Sequence, residues 1–377
     1  MTGDGGLERG SWMDVRESRA GKSFRPYPLP VALGARRMVI LAEGCFSPLG
    51  AKTAICLVRY VPGEVVAVID ASRSPSTAEA VLGFGGSIPV VADLRDALAY
   101  APDTFVLGTA PRGGKLAAGD RAAVVEAIGH GFHVMNGMHE LLNDDDEIVS
   151  LAKERGVVLW DVRRPSDDLG VSTGNACPDC PVVLTVGSDC NTGKMTAGLE
   201  ICNALRRDGV RAVFAASGQT GIMITGTGIP VDRVIADFIG GATERLVCGT
   251  SPGADVVILE GQGSILHPGY AGVTFGMIAG ALPRAYILCH QPTRRSIRGY
   301  DVPIPPLAEL VRLYESAISG ILKIPVAGIA LNTFDLDEDA ARRAVEDAAR
   351  ETGLAATDPV RFGAGALVGS IRESLSI

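Results

Sequence analysis

Short apolar runs alternate with polar, helix-like stretches along the chain. Residues 38–41, 65–69, 88–91, 105–107, 133–135 and 157–160 are brief apolar runs carrying β-branched residues. Each is followed by helix-like sequence, such as 93–99 or 120–128. Strands alternating with helices predict βαβ units on a parallel sheet, so residues 37–163 read as a Rossmann-like domain. A second series opens at Val182, Val183, Leu184 and Val186, a buried strand. Beyond it Met195, Leu199, Cys202 and Leu205 recur on one helical face. Later strands are predicted at 211–216, 255–259, 286–288 and 326–331, with helices at 308–319 and 338–351. Residues 1–36 read as a tail, 164–180 as a linker and 181–377 as the second α/β domain. The stretch 217–228 reads as turns, and 359–377 as a small terminal tail.

Between the second series' first strand and helix lies Gly187-Ser188-Asp189-Cys190-Asn191-Thr192-Gly193-Lys194-Met195-Thr196. Strand, glycine-bounded loop, lysine and helix are the context of a phosphate-binding P-loop. Loop amides and the positive end of the helix face an anion there, and Lys194 adds a point charge. The usual Mg²⁺-holding hydroxyl directly after the lysine is Met195 here, and the hydroxyl comes one later, at Thr196. Five residues rather than four separate the glycines. These departures favour phosphate binding over Mg-nucleotide hydrolysis. The fold class is therefore α/β, a Rossmann-like parallel sheet followed by a P-loop NTPase-like domain.

Composition narrows the partners. A chain of 377 residues suggests two domains. A net charge of −8 argues against nucleic acid held on a basic surface. No apolar run reaches membrane-spanning length, and residues 1–30 lack a secretory pattern. Eight scattered cysteines suit reduced thiols, so a cytoplasmic protein is expected, and a homo-oligomer. Cys177 and Cys180 have metal-like spacing, but one such pair is half a zinc site. No metal centre is expected.

Several further residues carry candidate chemistry. The turn from Gly44 to Ala54 repeats the P-loop position by position, with Lys52 opposite Met195 and Thr53 opposite Thr196. It is either the common form of a βα turn or a second anion-binding turn. Asp70 sits where a ribose-binding acid sits in dinucleotide domains, without the intact glycine fingerprint. Residues 113–115 read as a mobile loop, and Asp161, Arg163 and Arg164 as ligand contacts or an interdomain ion pair. Asp237, an acid inside an apolar run, is either a ligand-facing carboxylate or a helix cap. Glu260 ends a buried strand before a glycine turn, with Gln262 and His267 in the same loop. His290, Arg294, Arg295 and Arg298 follow another strand, and clustered arginines there suit carboxylate or phosphate recognition.

Residues 187–196 resemble the P-loop of dethiobiotin synthetase and its relatives, which share the five-residue spacing. Glu260-Gly261-Gln262-Gly263 looks like their Glu-Gly-x-Gly turn. From about residue 36 to 370 the chain resembles a bacterial family of Rossmann-plus-P-loop proteins that includes D-glutamate N-acetyltransferase. The matching stretches are Leu41-Ala42-Glu43-Gly44, Ala51-Lys52-Thr53-Ala54, Asp161-Val162-Arg163 and the P-loop residues. Further on they are Gly218-Gln219-Thr220-Gly221-Ile222-Met223, Gly261-Gln262-Gly263-Ser264, His267-Pro268 and Cys289-His290. The resemblance implies acetyl-CoA as donor and a small amino acid, D-glutamate or a relative, as acceptor.

In such a reaction the acceptor amine must lose a proton. Glu260 and His267 are the candidate bases, with His290 in reserve, and Gln219, Thr220, Gln262, Arg294 and Arg298 are candidate substrate contacts. Loop amides at 261–263 are placed to stabilise an oxyanion. A thiol near a helix start is expected to have a depressed pKa, so Cys190 is a candidate acyl carrier, although direct transfer needs none. The rival reading is an ATP/Mg²⁺-dependent ligase or kinase, in which Lys194 and Thr196 serve ATP and Glu260 with Asp189 holds Mg²⁺. A third is a nucleotide sensor without turnover.

Overall fold

A computed structural model of the chain describes residues 27–28, 36–109, 114–174, 176 and 178–377. Expectations for residues 1–26, for Gly113 and for Cys177 lie outside these residues. The first described strand, β1 (Tyr27–Pro28), pairs antiparallel with β11 (Thr227–Gly228) of the second domain. The segment ahead of residue 37 is thus tied to the P-loop half where it is described.

The first sheet holds β2 (Met38–Leu41), β3 (Val65–Ile69), β4 (Ser76–Thr77), β5 (Pro89–Val91), β6 (Thr104–Leu107), β7 (His133–Asn136) and β8 (Leu159–Asp161). Their order is β4-β5-β3-β2-β6-β7-β8, parallel except for the β4–β5 pair. Strand β2 has β3 on one side and β6 on the other, so the chain reverses its direction of winding there. The turn after β2 therefore lies at the sheet's switch point, where open α/β sheets bind ligands.

The second sheet holds β9 (Val182–Gly187), β10 (Ala212–Ala215), β12 (Val256–Leu259), β13 (Ala285–His290), β14 (Val326–Leu331) and β15 (Ala355–Thr357). Its order is β10-β12-β9-β13-β14-β15, and all pairs are parallel. Every residue of β2, β6, β9, β12 and β14 is buried. Strands covered by helices on both faces read as continuous apolar runs, which is why they were visible in the sequence.

The two domains share one apolar cluster. Ala54 and Leu57 of the helix Lys52–Tyr60 join Ile222 and Met223 of the helix Gln219–Thr225. Polar ties cross the same seam. Arg36 Nη1 donates to the Met223 carbonyl at 2.7 Å, and Tyr60 Oη to Glu200 at 2.9 Å. The Thr53 and Thr220 hydroxyls hydrogen-bond at 3.0 Å, and Arg163 pairs with Asp232. Of the two readings for Arg163, the structure selects the interdomain ion pair. Asp161 instead accepts from the Leu142 and Asn143 amides and so holds the 3₁₀ turn Leu142–Asp144. Asp70 likewise accepts from the Phe46 amide and from Ser72, closing the turn after β2.

Three local expectations change. Residues 219–225 form a helix rather than turns, because burying Ile222 and Met223 outweighs their glycine-rich surroundings. Residues 365–375 are also helical, and Leu367, Val368 and Ile371 are buried against the second sheet. Asp237 is exposed in a short 3₁₀ turn ahead of the helix Ile239–Thr250, so it faces no buried ligand. Leu367 is fully buried. Truncating it to Ala is expected to cost about 2–5 kcal/mol, read as a lowered midpoint in urea unfolding, whereas deleting a loose tail changes nothing.

Candidate active site

The P-loop follows β9, and its two flanking strands, β12 and β13, end beside it. The Tyr314 hydroxyl donates to the Gly187 carbonyl at 2.7 Å, pinning the strand's end. A Cβ on Gly187 would stand 2.7 Å from Thr192 Oγ1 and 2.9 Å from Lys194 Nζ, so only glycine fits. Lys194 is buried, and its ammonium donates to the Asp189 carbonyl at 2.8 Å. Burial pushes its pKa down to about 8.

The amides of residues 191–196 have no acceptor among the described residues. Asn191 and Gly193 adopt positive φ, 53° and 99°, which turns the chain into a nest of consecutive donors ahead of the helix Lys194–Arg207. Such a run beside a buried ammonium is a fitting cradle for a phosphate.

Asp189 holds this loop in shape. It is fully buried, and its carboxylate accepts from the Cys190 amide, the Arg298 amide and Arg294 Nη1 at 2.7, 2.8 and 2.9 Å. Arg294 also donates to the Cys190 carbonyl and to Gln291. That guanidinium is committed to the P-loop, which corrects its expected role as a substrate clamp. The Arg298 side chain is exposed and makes no polar contact among the described residues. Ligand-type atoms of Asp189, Cys190 and His267 lie within 4.8 Å of one another, yet Arg294 on the carboxylate opposes a cation there. The same commitment removes Asp189 from the Mg²⁺ pair of the rival reading. The Cys190 thiol is pushed up, by burial and then by Asp189, so the expected depressed pKa is corrected.

The three candidate bases separate by environment. Glu260 follows β12 and is 5% exposed. Its Oε2 accepts from the Ser217 and Gly218 amides at 3.0 and 3.1 Å, and its Oε1 has no partner among the described residues. Burial raises its pKa to about 7, opposed by the Lys52 ammonium and the two amides. Gly261 brings this acid against the P-loop strand: its amide donates to Thr185 Oγ1, and a Cβ would overlap the Thr185 carbonyl at 1.6 Å. With the Gly261 amide so used, Gln262 and Gly263 supply the free donors of that turn. Gln262 Nε2 donates to Ser217 Oγ at 3.1 Å.

His267 is buried beneath Tyr270, stacked at 4.3 Å, and beside Tyr300, edge-on at 5.2 Å. Its Nδ1 accepts from the Gly269 amide at 3.1 Å, so the neutral ring carries its proton on Nε2, facing Asp189 at 3.9 Å. This geometry makes His267 a donor rather than the expected base. His290 Nδ1 lies 2.9 Å from Ser188 Oγ. Burial, then Arg294 and Arg295, push its pKa down to about 4, too low for an ammonium proton. Gln219 and Thr220 sit on the domain seam, Thr220 on Thr53 and Gln219 against Gly137. Sequence reasoning missed Thr185 and Tyr314, whose hydroxyls act only across strands and helices far apart in the chain.

Comparison with known proteins agrees with this architecture. Residues 170–368 match the profile described as the DUF1611 C-terminal P-loop domain, and residues 72–165 that of its Rossmann-like N-terminal domain. A D-glutamate N-acetyltransferase from Tritonibacter scottomollicae is 38% identical over 285 residues, covering 74% of this chain and 84% of its own. Another of that name from a Pseudoalteromonas species is 35% identical over 273 residues, covering 71% and 81%. The crystal structure of a DUF1611 family protein from Anabaena variabilis is 38% identical, with a TM-score of 0.85 over 90% of this chain and 99% of that one. Among the described residues no helix is long and apolar enough to cross a membrane. The chain belongs to the DUF1611 family of paired Rossmann-like and P-loop domains, and it is an enzyme.

Proposed function

We propose that the chain moves an acetyl group from acetyl-CoA to the amine of an amino acid, D-glutamate or a close relative. One observation carries the reading: Gly261, next to the buried Glu260 carboxyl that is pushed up to about 7, packs against the P-loop strand and the Lys194 side chain, and the P-loop amides of residues 191–196 have no acceptor among the described residues. The names of two relatives point the same way. Acetyl-CoA, when bound, supplies an activated acyl group and phosphates that suit the amide nest. Met195 in place of a Mg²⁺-holding hydroxyl costs nothing in that use.

Glu260 takes one proton from the acceptor's ammonium; the C–N bond then forms as the C–S bond of the thioester breaks, and the second proton shed by the nitrogen goes to the departing thiolate. An amino acid arrives as an ammonium ion and cannot attack until deprotonated. The free Oε1 of Glu260 accepts that proton, while the Ser217 and Gly218 amides hold Oε2 in place. A carboxyl near 7 matches proton transfer at neutral pH far better than His290 near 4. The Gln262 and Gly263 amides, without an acceptor among the described residues, are the candidates to stabilise negative charge on the acyl oxygen. The Nε2 proton of His267 faces Asp189 at 3.9 Å, beyond hydrogen-bond reach.

Acetyl-CoA and CoA are expected to raise the melting temperature of the protein, the shift growing with the logarithm of ligand concentration above Kd. Turnover should proceed with D-glutamate in EDTA. ATP consumption abolished by chelation selects the ligase or kinase instead. Lys194→Met is expected to weaken CoA by about 10-fold or more, measured by calorimetric titration.

Glu260→Gln is expected to lower kcat/KM by about 100-fold or more. In the wild type kcat/KM should rise with an apparent pKa near 7 as Glu260 ionises. The stability sign is opposite. The folded state keeps a proton that the unfolded chain releases at its ordinary 4.5, so this group's contribution falls as pH climbs from there to about 7. Thermal scans across that window should show the fall in the wild type and not in Glu260→Gln.

A further inference from the structure

The turn between Gly44 and Ala54 repeats the P-loop but has no part in the reaction as described. We propose that Lys52, with the first turn of its helix, is a carboxylate-binding subsite facing Glu260 across the domain seam. Resting on the acetyl-transfer reading, it takes a carboxylate of the acceptor while Glu260 receives the acceptor's amine.

The topology places this turn well. It follows β2, the switch-point strand of the first sheet. The helix Lys52–Tyr60 has no side-chain cap and no acid in its first turn. The amides of Lys52 and Thr53 have no acceptor among the described residues, since Ala54 is the first to find one, on the Gly108 carbonyl. A lysine at this end opposes the helix dipole. Lys52 forms no ion pair among the described residues that would offset it. Helix stability therefore does not explain it.

A second, independent observation points to a ligand. Thr53 hydrogen-bonds Thr220 in the first turn of the helix Gln219–Thr225. The next residue, Gly221, passes so close to Glu260 that a Cβ would stand 2.5 Å from Oε2. Lys52 is thus one residue from a hydrogen bond that ends beside Glu260, a side chain 5% exposed with one oxygen unpartnered. The charged groups acting on Glu260 are Lys52, which favours its ionised form, and Asp232, which opposes it. Asp232 is itself paired with Arg163.

The chemistry fits a carboxylate better than a second phosphate. Two free amides and one ammonium suit two oxygens, whereas the P-loop offers a run of amides to more. An amino acid bridging Lys52 and Glu260 places its cationic amine on the acid and its anionic end on the base. The separation of charges selects a zwitterionic acceptor over a simple amine.

Calorimetric titration of the intact protein with glutarate, a dicarboxylate without an amine, tests the subsite in the absence of acetyl-CoA. Lys52→Met should weaken glutarate by about 10- to 100-fold, Lys52→Arg should restore most of it, and Lys194→Met should change it far less than Lys52→Met does. In turnover Lys52→Met should raise KM for the acceptor more than it lowers kcat, and shift the acid limb of kcat/KM to higher pH. Equal glutarate affinity in wild type and Lys52→Met overturns the proposal, as does an absence of binding to the wild type. If acetyl-CoA neither binds nor reacts while Lys52→Met still loses glutarate, the acetyl-transfer reading fails and the subsite stands.

Discussion

The site rests on one buried charge. Asp189 sits within the P-loop with no exposed surface, where an unpaired carboxylate is costly. Two backbone amides and the Arg294 guanidinium satisfy it. In doing so they tie the loop to the segment after β13 and fix the path of residues 187–194. The amides of residues 191–196 are left without an acceptor among the described residues. The buried ion pair and the unpartnered amides therefore belong to one arrangement.

A parallel sheet supplies the rest of the convergence. Strands β12, β9 and β13 run side by side, so the acid after β12, the loop after β9 and the histidine ending β13 share one edge. Their environments then divide the work. Glu260 is desolvated with an ammonium nearby and moves up to about 7. His290 is desolvated beside two guanidinium groups and moves down to about 4. His267 is held by a backbone donor in the tautomer that gives a proton rather than takes one. Three residues with similar claims on paper end in three different environments.

The domain seam belongs to the same machinery. A continuous apolar cluster and the Thr53–Thr220, Tyr60–Glu200 and Arg163–Asp232 contacts lock the Rossmann-like domain onto the P-loop domain. The switch point of the first sheet thereby faces the acid of the second. Each sheet contributes a lysine at the start of the helix after its first long strand, Lys52 in one and Lys194 in the other.

The sequence by itself determined the two α/β halves, the P-loop and the acid after β12, because apolar runs, glycine spacing and a lysine at a helix start are local signals. It also carried most of the strands, but not the helices Ile239–Thr250 and Ala271–Ala281, nor those at residues 219–225 and 365–375, which exist through buried contacts with distant elements. Only the tertiary structure decided which charged groups are free. Arg294 turned out to be spent on Asp189, the Cys190 thiol to be raised rather than lowered, and His267 to be held in the wrong tautomer for a base. Such facts depend on burial and on partners tens to hundreds of residues away, and no periodicity in a chain records them.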